Sequence, residues 1–146
     1  MSIPSTFLSA GRKLTLPFEL GNLELARVPV RLIVAQYPSL SPSDFRGNEL
    51  LKDGRAVVFL YAGWCPFCRR SIAFLRLLKP NSDYIIYRAD ISNRGNPLWV
   101  WMKISAVPTL IAFKNHKEIW RKDGILGTGL AEGDFLNAHM AMVNRK

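Results

Sequence analysis

The run Ala56-Val57-Val58-Phe59-Leu60-Tyr61-Ala62 leads, after one glycine, directly into Trp64-Cys65-Pro66-Phe67-Cys68. A strand with no polar position has no side to offer to water, so it belongs inside a sheet covered on both faces. The chain must therefore provide layers on either side of it. The stretch that follows, Arg69 to Leu78, alternates apolar and basic residues at helical spacing. Phe67, Ser71, Phe74, Leu75 and Leu78 share one side, and Arg69, Ala73 and Arg76 another. Pro80 ends this helix, because a proline restricts its predecessor and donates no backbone hydrogen bond. Cys65 and Cys68, the only two cysteines of the chain, thus fall at a strand-to-helix seam.

That placement has chemical consequences. A helix start carries unpaired N–H groups and a partial positive charge, and Pro66 fits its first position. With Arg69 and Arg70 close behind, the setting is expected to favour a thiolate at Cys65. Cys68, one turn on, can close a small disulfide ring and is expected to be the resolving thiol. A purely structural disulfide across so short a loop would stabilise little. A zinc site wants about four ligands, and neither His116 nor His139 has finger-like spacing to the cysteine pair. No metal and no cofactor is expected.

The chain has 146 residues, 49% of them hydrophobic and 21% charged, as expected for one globular domain with an ordinary core. No apolar run approaches the roughly 20 residues of a membrane span. Met1 to Leu16 lacks an apolar core after a basic start, which argues against a secretory signal, although a transit peptide stays open because the first acid is Glu19. With no cysteines beyond the pair, a cytoplasmic redox protein is the expectation. The net charge of +9 comes from scattered basic residues without interleaved aromatics. It reads as a solvated face, and nucleic acid is not an expected partner.

Along the chain, residues 1–30 form an N-terminal extension with a possible β-hairpin about Gly21-Asn22, and 31–146 the main domain. Arg31 to Gln36 is expected to be a strand, Pro38 to Pro42 a loop, and Asp44 onward a short helix capped by Ser43 with Phe45 and Leu50-Leu51 as its contacts. Tyr84 to Ala89 reads as a strand, and Asn96-Pro97 opens a short helix holding Trp99, Trp101 and Met102. Thr109 to Phe113 and Glu118 to Lys122 read as a hairpin turning at Asn115-His116. After the glycine-rich 124–129 connection comes a helix, Ala131 to Val143, with Leu136, Met140 and Val143 on one face and His139 at the core edge. The order predicts an α/β fold, a central mixed sheet with helices on both faces.

Four pieces together resemble the thioredoxin family: Val57 to Ala62 with Trp64-Cys65-x-x-Cys68; the strand ending Tyr87-Arg88-Ala89-Asp90-Ile91; Ile104-Ser105-Ala106-Val107-Pro108-Thr109; and Leu110 to Trp120 with Gly124 after it. The resemblance spans about Ser39 to Val143. It implies a thioredoxin-like fold and a thiol–disulfide oxidoreductase with Cys65 as nucleophile and Cys68 as resolving cysteine. It further implies a cis Val107–Pro108 bond beside the pair, with Val107 pairing its backbone to a substrate strand. Trp64, Pro66 and Gly124 would complete the apolar rim. Implied partners are protein disulfides, with a reductase or low-molecular-weight thiol as electron donor.

Two departures stand out. The dipeptide Pro66-Phe67 is similar to that of dithiol glutaredoxins rather than the Gly-Pro of thioredoxins, and such dipeptides tune reduction potential. Where thioredoxins carry a buried aspartate six residues before the first cysteine, this chain has Phe59, so Cys68 lacks its local base. The alternatives are a glutathione-coupled glutaredoxin-like reductase, a module sharing an iron–sulfur cluster between chains through Cys65, which a following proline tends to disfavour, and a partner-binding adaptor.

Overall fold

The computed structural model describes residues 30–144. Its elements are α1 (Val30–Val34), β1 (Ser39–Leu40), a 3₁₀ turn (Pro42–Asp44), β2 (Phe45–Arg46), β3 (Glu49–Leu50), β4 (Arg55–Tyr61), α2 (Pro66–Ile72), a 3₁₀ continuation (Ala73–Leu77), β5 (Ile85–Asp90), α3 (Leu98–Trp101), β6 (Thr109–Lys114), β7 (Lys117–Asp123) and α4 (Glu132–Asn144). The five-stranded sheet runs β1-β5-β4-β6-β7, and β2-β3 form a separate hairpin. β4 is parallel to β5 and antiparallel to β6, so the sheet is mixed and the all-apolar strand lies at its centre. Both faces of that strand are covered. Phe59 packs toward Phe135 of α4, with ring centroids 6.4 Å apart. Phe113, which pairs with Ala56 on the opposite face, meets Phe45 at 6.4 Å. Each fully buried Phe contributes about 1.5–3 kcal/mol through removal of apolar surface from water.

The main frame agrees with the sequence expectation, and several local elements do not. Residues 31–36 do not form a strand, because α1 occupies Val30–Val34. In a strand, Leu32, Val34 and Gln36 would share a side. Instead Val34 is fully buried while Leu32 is 58% exposed, and Ile33, Val34 and Tyr37 recur at helical spacing. The expected loop at 38–42 contains β1, whose Ser39 and Leu40 pair with Arg88 and Ala89. The expected helix after Asp44 is the β2–β3 hairpin. Asp44 accepts the Ser41 backbone N–H at 2.8 Å, capping the start of the 3₁₀ turn, and the chain turns extended at Phe45. Gly47 (φ +61) then reverses the chain and sets Phe45 opposite Leu50, both buried. Leu51, expected among the contacts, is 42% exposed.

The redox helix starts at Pro66 and tightens to 3₁₀ at Ala73. Ile72, Leu75 and Leu78 are all buried, a three-residue period that matches the 3₁₀ repeat better than 3.6. Phe67 and Phe74 are only partly buried, so the inward face is rotated from the expected one. α4 is rotated as well. Its buried side is Phe135, Ala138 and Met142, whereas Leu136 and Met140 are about half exposed. Phe135 sets this rotation by packing against both Phe59 and Phe74 (5.8 Å). His139 Nδ1 lies 2.8 Å from the Tyr84 hydroxyl at the core edge. Burial raises the Tyr84 phenol to about 12, so it stays protonated. Asn115 and His116 make the β6–β7 turn with φ of 49° and 80°. The hairpin about Gly21-Asn22 lies outside the described residues. Among the described residues, no helix is long and apolar enough to cross a membrane.

Candidate active site

Because β4 and β5 are parallel and Tyr61 pairs with Asp90, the loops leaving both strands emerge at the same end of the sheet. The first loop carries Trp64 and Cys65, and the second carries Ser92 and Arg94. β6 begins at this end too, since Leu60 pairs with Thr109, which places Val107 and Pro108 beside Cys65. Three chain segments distant in sequence therefore converge where the cysteines are.

Cys65 caps α2. Its Sγ accepts the Cys68 backbone N–H at 3.1 Å, and its thiol is 3.5 Å from the Val107 carbonyl, to which it can donate. Both cysteines are free thiols. Cys65 is 4% exposed and Cys68 wholly buried. Burial pushes the Cys68 thiol well above its ordinary range, and its hydrogen bond with Cys65 pushes the same way. The Val107–Pro108 peptide bond is cis, and both residues are buried. The Thr109 hydroxyl donates to the Ala106 carbonyl at 2.7 Å, bracing this segment. Gly124 lies directly against Pro108, where a Cβ would overlap the Pro108 carbonyl oxygen. Gly129 (φ +78) lies under the Phe67 side chain and beside Ser71. The buried Ser71 hydroxyl meets the Leu130 backbone, tying the 124–130 connection to α2.

Of the residues singled out from sequence, Cys65, Cys68, Val107 and Pro108 converge, with Gly124 packed on Pro108. Pro66 is exposed at the start of α2. Trp64 is 47% exposed and donates its indole N–H to the Ser92 carbonyl at 2.8 Å. It lies near-parallel to Trp99 (6.5 Å, 5°), and the Arg94 guanidinium is 4.4 Å from its ring centroid. The Ser92 hydroxyl accepts the Gly63 N–H and donates to Asp90, whose carboxylate also takes the Ser92 N–H. Ser92, Arg94 and the Trp64–Trp99 pairing were not legible from sequence. They depend on parallel strand pairing between segments about thirty residues apart, and no spacing pattern marks them.

Phe59 is fully buried and stacks on Tyr61 (5.7 Å, 15°). Its register partner is Arg88. With no carboxylate opposite, Arg88 donates to the Tyr61 hydroxyl at 3.0 Å and to the Tyr37 carbonyl at 2.9 Å. Burial raises the Tyr61 phenol, against the opposing effect of Arg88. Among the described residues, no group of three or more His, Cys, Asp or Glu side chains is placed to hold a metal ion.

No family model matches the chain. It is 28% identical over 109 residues to thioredoxin-1 of Saccharomyces cerevisiae, covering 73% of this chain and 100% of that protein. It is 31% identical over 78 residues to a thioredoxin of Chlamydia muridarum, covering 53% of this chain and 76% of that protein. The structure is similar to thioredoxin f2 of Chlamydomonas reinhardtii, with a TM-score of 0.58 at 18% identity over 75% of this chain and 99% of that one. It is also similar to the thioredoxin of Malassezia sympodialis, with a TM-score of 0.55 at 18% identity over 73% and 90%. At such identities the structural likeness carries the fold alone.

Proposed function

The chain belongs to the thioredoxin family, and from that premise we propose that it is a protein disulfide oxidoreductase in which Cys65 attacks and Cys68 resolves. The observation that carries this reading is the Cys65 environment: Sγ accepts the Cys68 N–H and lies beside the Val107 carbonyl, at the mouth of a site whose second thiol is buried beneath it. An N–H aimed at sulfur interacts more strongly with a thiolate than with a thiol. Cys68, fully buried, cannot meet a folded partner's disulfide first.

The Cys65 thiolate attacks one sulfur of the substrate disulfide, forming a mixed disulfide and releasing the other sulfur as a thiolate that takes up a proton. Cys68 then gives up its proton and attacks the Cys65 sulfur. The Cys65–Cys68 disulfide forms, and the second substrate thiol leaves. Two electrons and two protons pass to the substrate, and an external dithiol or reductase returns them. Val107 offers its backbone to an extended substrate segment, the manner of an added strand. Trp64, Pro66, Pro108 and Gly124 form the rim around it. Residues 31–146 are then the redox domain, with residues 1–30 as an N-terminal extension. A dithiol maintained in the reduced state fits a reducing compartment such as the cytoplasm.

The test is insulin reduction driven by dithiothreitol. A rate well above background is expected, lost in Cys65→Ser, while Cys68→Ser accumulates the mixed disulfide. Equal rates for wild type and Cys65→Ser would refute the proposal. Turnover of glutathione mixed disulfides with no action on insulin would move the assignment to a glutathione-coupled reductase.

A further inference from the structure

Two guanidinium groups lie over aromatic rings that flank the Cys65 sulfur. Arg94 sits over Trp64, 4.4 Å from the ring centroid, with Trp99 at 5.9 Å. Arg70 sits over Phe67 at 5.4 Å. Trp64 immediately precedes Cys65, and Phe67 lies between the two cysteines, so each arginine is held on a residue of the cysteine motif. Both arginine side chains are exposed.

A guanidinium held over an aromatic ring by cation–π attraction keeps N–H donors for a further acceptor. Those donors suit carboxylates, which accept them in parallel pairs. Neighbouring acids do not consume them. Among the described residues, neither Arg70 nor Arg94 takes part in an ion pair. The Asp90 carboxylate is occupied by the Ser92 N–H and hydroxyl. Asp123, on the Gly124 side, accepts Arg121 Nε at 3.0 Å. The chain's net charge of +9 adds to the local field rather than opposing it.

We infer that Arg94 on Trp64 and Arg70 on Phe67 form a cationic rim that selects partner proteins whose reactive cysteine is flanked by acidic residues. This rests on the oxidoreductase reading and adds the class of substrate. An uncharged rim would leave recognition to the backbone at Val107 and to apolar contact, neither of which distinguishes acidic from basic flanks. Here an acidic segment brought to Cys65 meets guanidinium groups held on Trp64 and Phe67 of the same motif. The attraction acts mainly on the rate of encounter, because charges at a surface steer association more than they tighten it.

The experiment compares two disulfide-linked peptides with the same cysteine core, one flanked by aspartates and one by serines. Reduction by the full-length reduced protein is followed under single-turnover conditions. At low ionic strength the acidic peptide is expected to react about tenfold faster, within the range of electrostatic steering. The preference should collapse near 0.5 M salt, where screening falls to a few ångströms, of order 4 Å. In the double variant Arg70→Glu, Arg94→Glu the ratio of acidic to neutral rates should fall below one. In Arg70→Lys, Arg94→Lys, which keeps charge and loses the planar fork of donors, a smaller preference should remain. Thermal melts of each variant establish that the fold is intact. Equal rates on the two peptides, or a preference that the charge reversal leaves in place, would overturn the rim while the dithiol reading stands. Reduction of neither peptide would overturn both. Suppression of reduction by a short single-stranded oligonucleotide, with no peptide preference, would assign the basic rim to nucleic acid instead.

Discussion

Gly124→Ala is the most direct probe of how the site is held together. A methyl at this position would overlap the carbonyl oxygen of Pro108, a backbone atom that no rotamer change can move away. Ordinary contact requires the two segments to separate by on the order of 1 Å. Overpacking of this kind costs about 1–3 kcal/mol. For a domain of this size that corresponds to a melting temperature lower by roughly 4–12 °C. Displacement of Pro108 also carries the Val107 carbonyl away from Cys65 Sγ, now 3.5 Å distant. A misplacement near 1 Å at a reacting centre can cost up to about a hundredfold, so the exchange rate should fall between about tenfold and a hundredfold. Gly133→Ala serves as the control. It lies in the first turn of α4 with nothing within 4 Å of its added Cβ. That variant should gain about 0.5–1 kcal/mol from the better helix former. The paired readouts are the thermal midpoint and the rate of disulfide exchange with a small aromatic disulfide. A Gly124→Ala protein melting within about 1 °C of wild type, with an unchanged exchange rate, would refute the close approach of these two segments and the reasoning built on it.

Three further outcomes follow from the site and the core beneath it. Burial holds Cys68 as a thiol beyond neutral pH, so release of the second substrate thiol should accelerate about tenfold per pH unit between about pH 7 and pH 9; a plateau below about pH 8 in single-turnover kinetics would show that a local base has replaced the missing acid. The sign for stability is opposite: the folded state retains a proton that the unfolded thiol releases, so the reduced protein should lose stability as pH rises above the ordinary thiol value. Phe59→Ala removes a ring packed on Tyr61 and Phe135 and should cost about 3–5 kcal/mol by urea unfolding; a loss below about 1.5 kcal/mol would mean that the surrounding core collapses into the space.

The divergence between sequence pattern and structure has consistent physical causes. The central strand was legible because every residue from 56 to 61 is buried, and no other element tolerates that pattern as well. The turn at Asn115-His116 was legible because few residues accept positive φ. Short segments depart from their sequence pattern where local propensity is weak. Residues 31–36 have enough β-branched content for a strand, but the sheet edge is taken by Ser39 and Leu40 alone. The 44–51 segment has a helix-like start, yet Gly47 converts it to a hairpin that places Phe45 against Phe113. On α4, Leu136 and Met140 form as good an apolar stripe as Phe135, Ala138 and Met142. Only the space between Phe59 and Phe74 decides which is buried.

By itself, the sequence determined the buried strand, the position of both thiols at the start of a helix, and the absence of an acid at Phe59. These are local properties, set by hydrophobic period, by proline and by cysteine spacing. Tertiary structure alone decided what surrounds the thiols. Parallel pairing of β4 with β5 brings the 91–97 loop alongside Trp64, and antiparallel pairing with β6 brings Val107 to Cys65. The partners of Arg88 and the stacking of Arg94 follow from that convergence. Contacts between residues far apart in the chain leave no periodic trace in the sequence, so the cysteine motif is visible there and its cationic, aromatic setting is not.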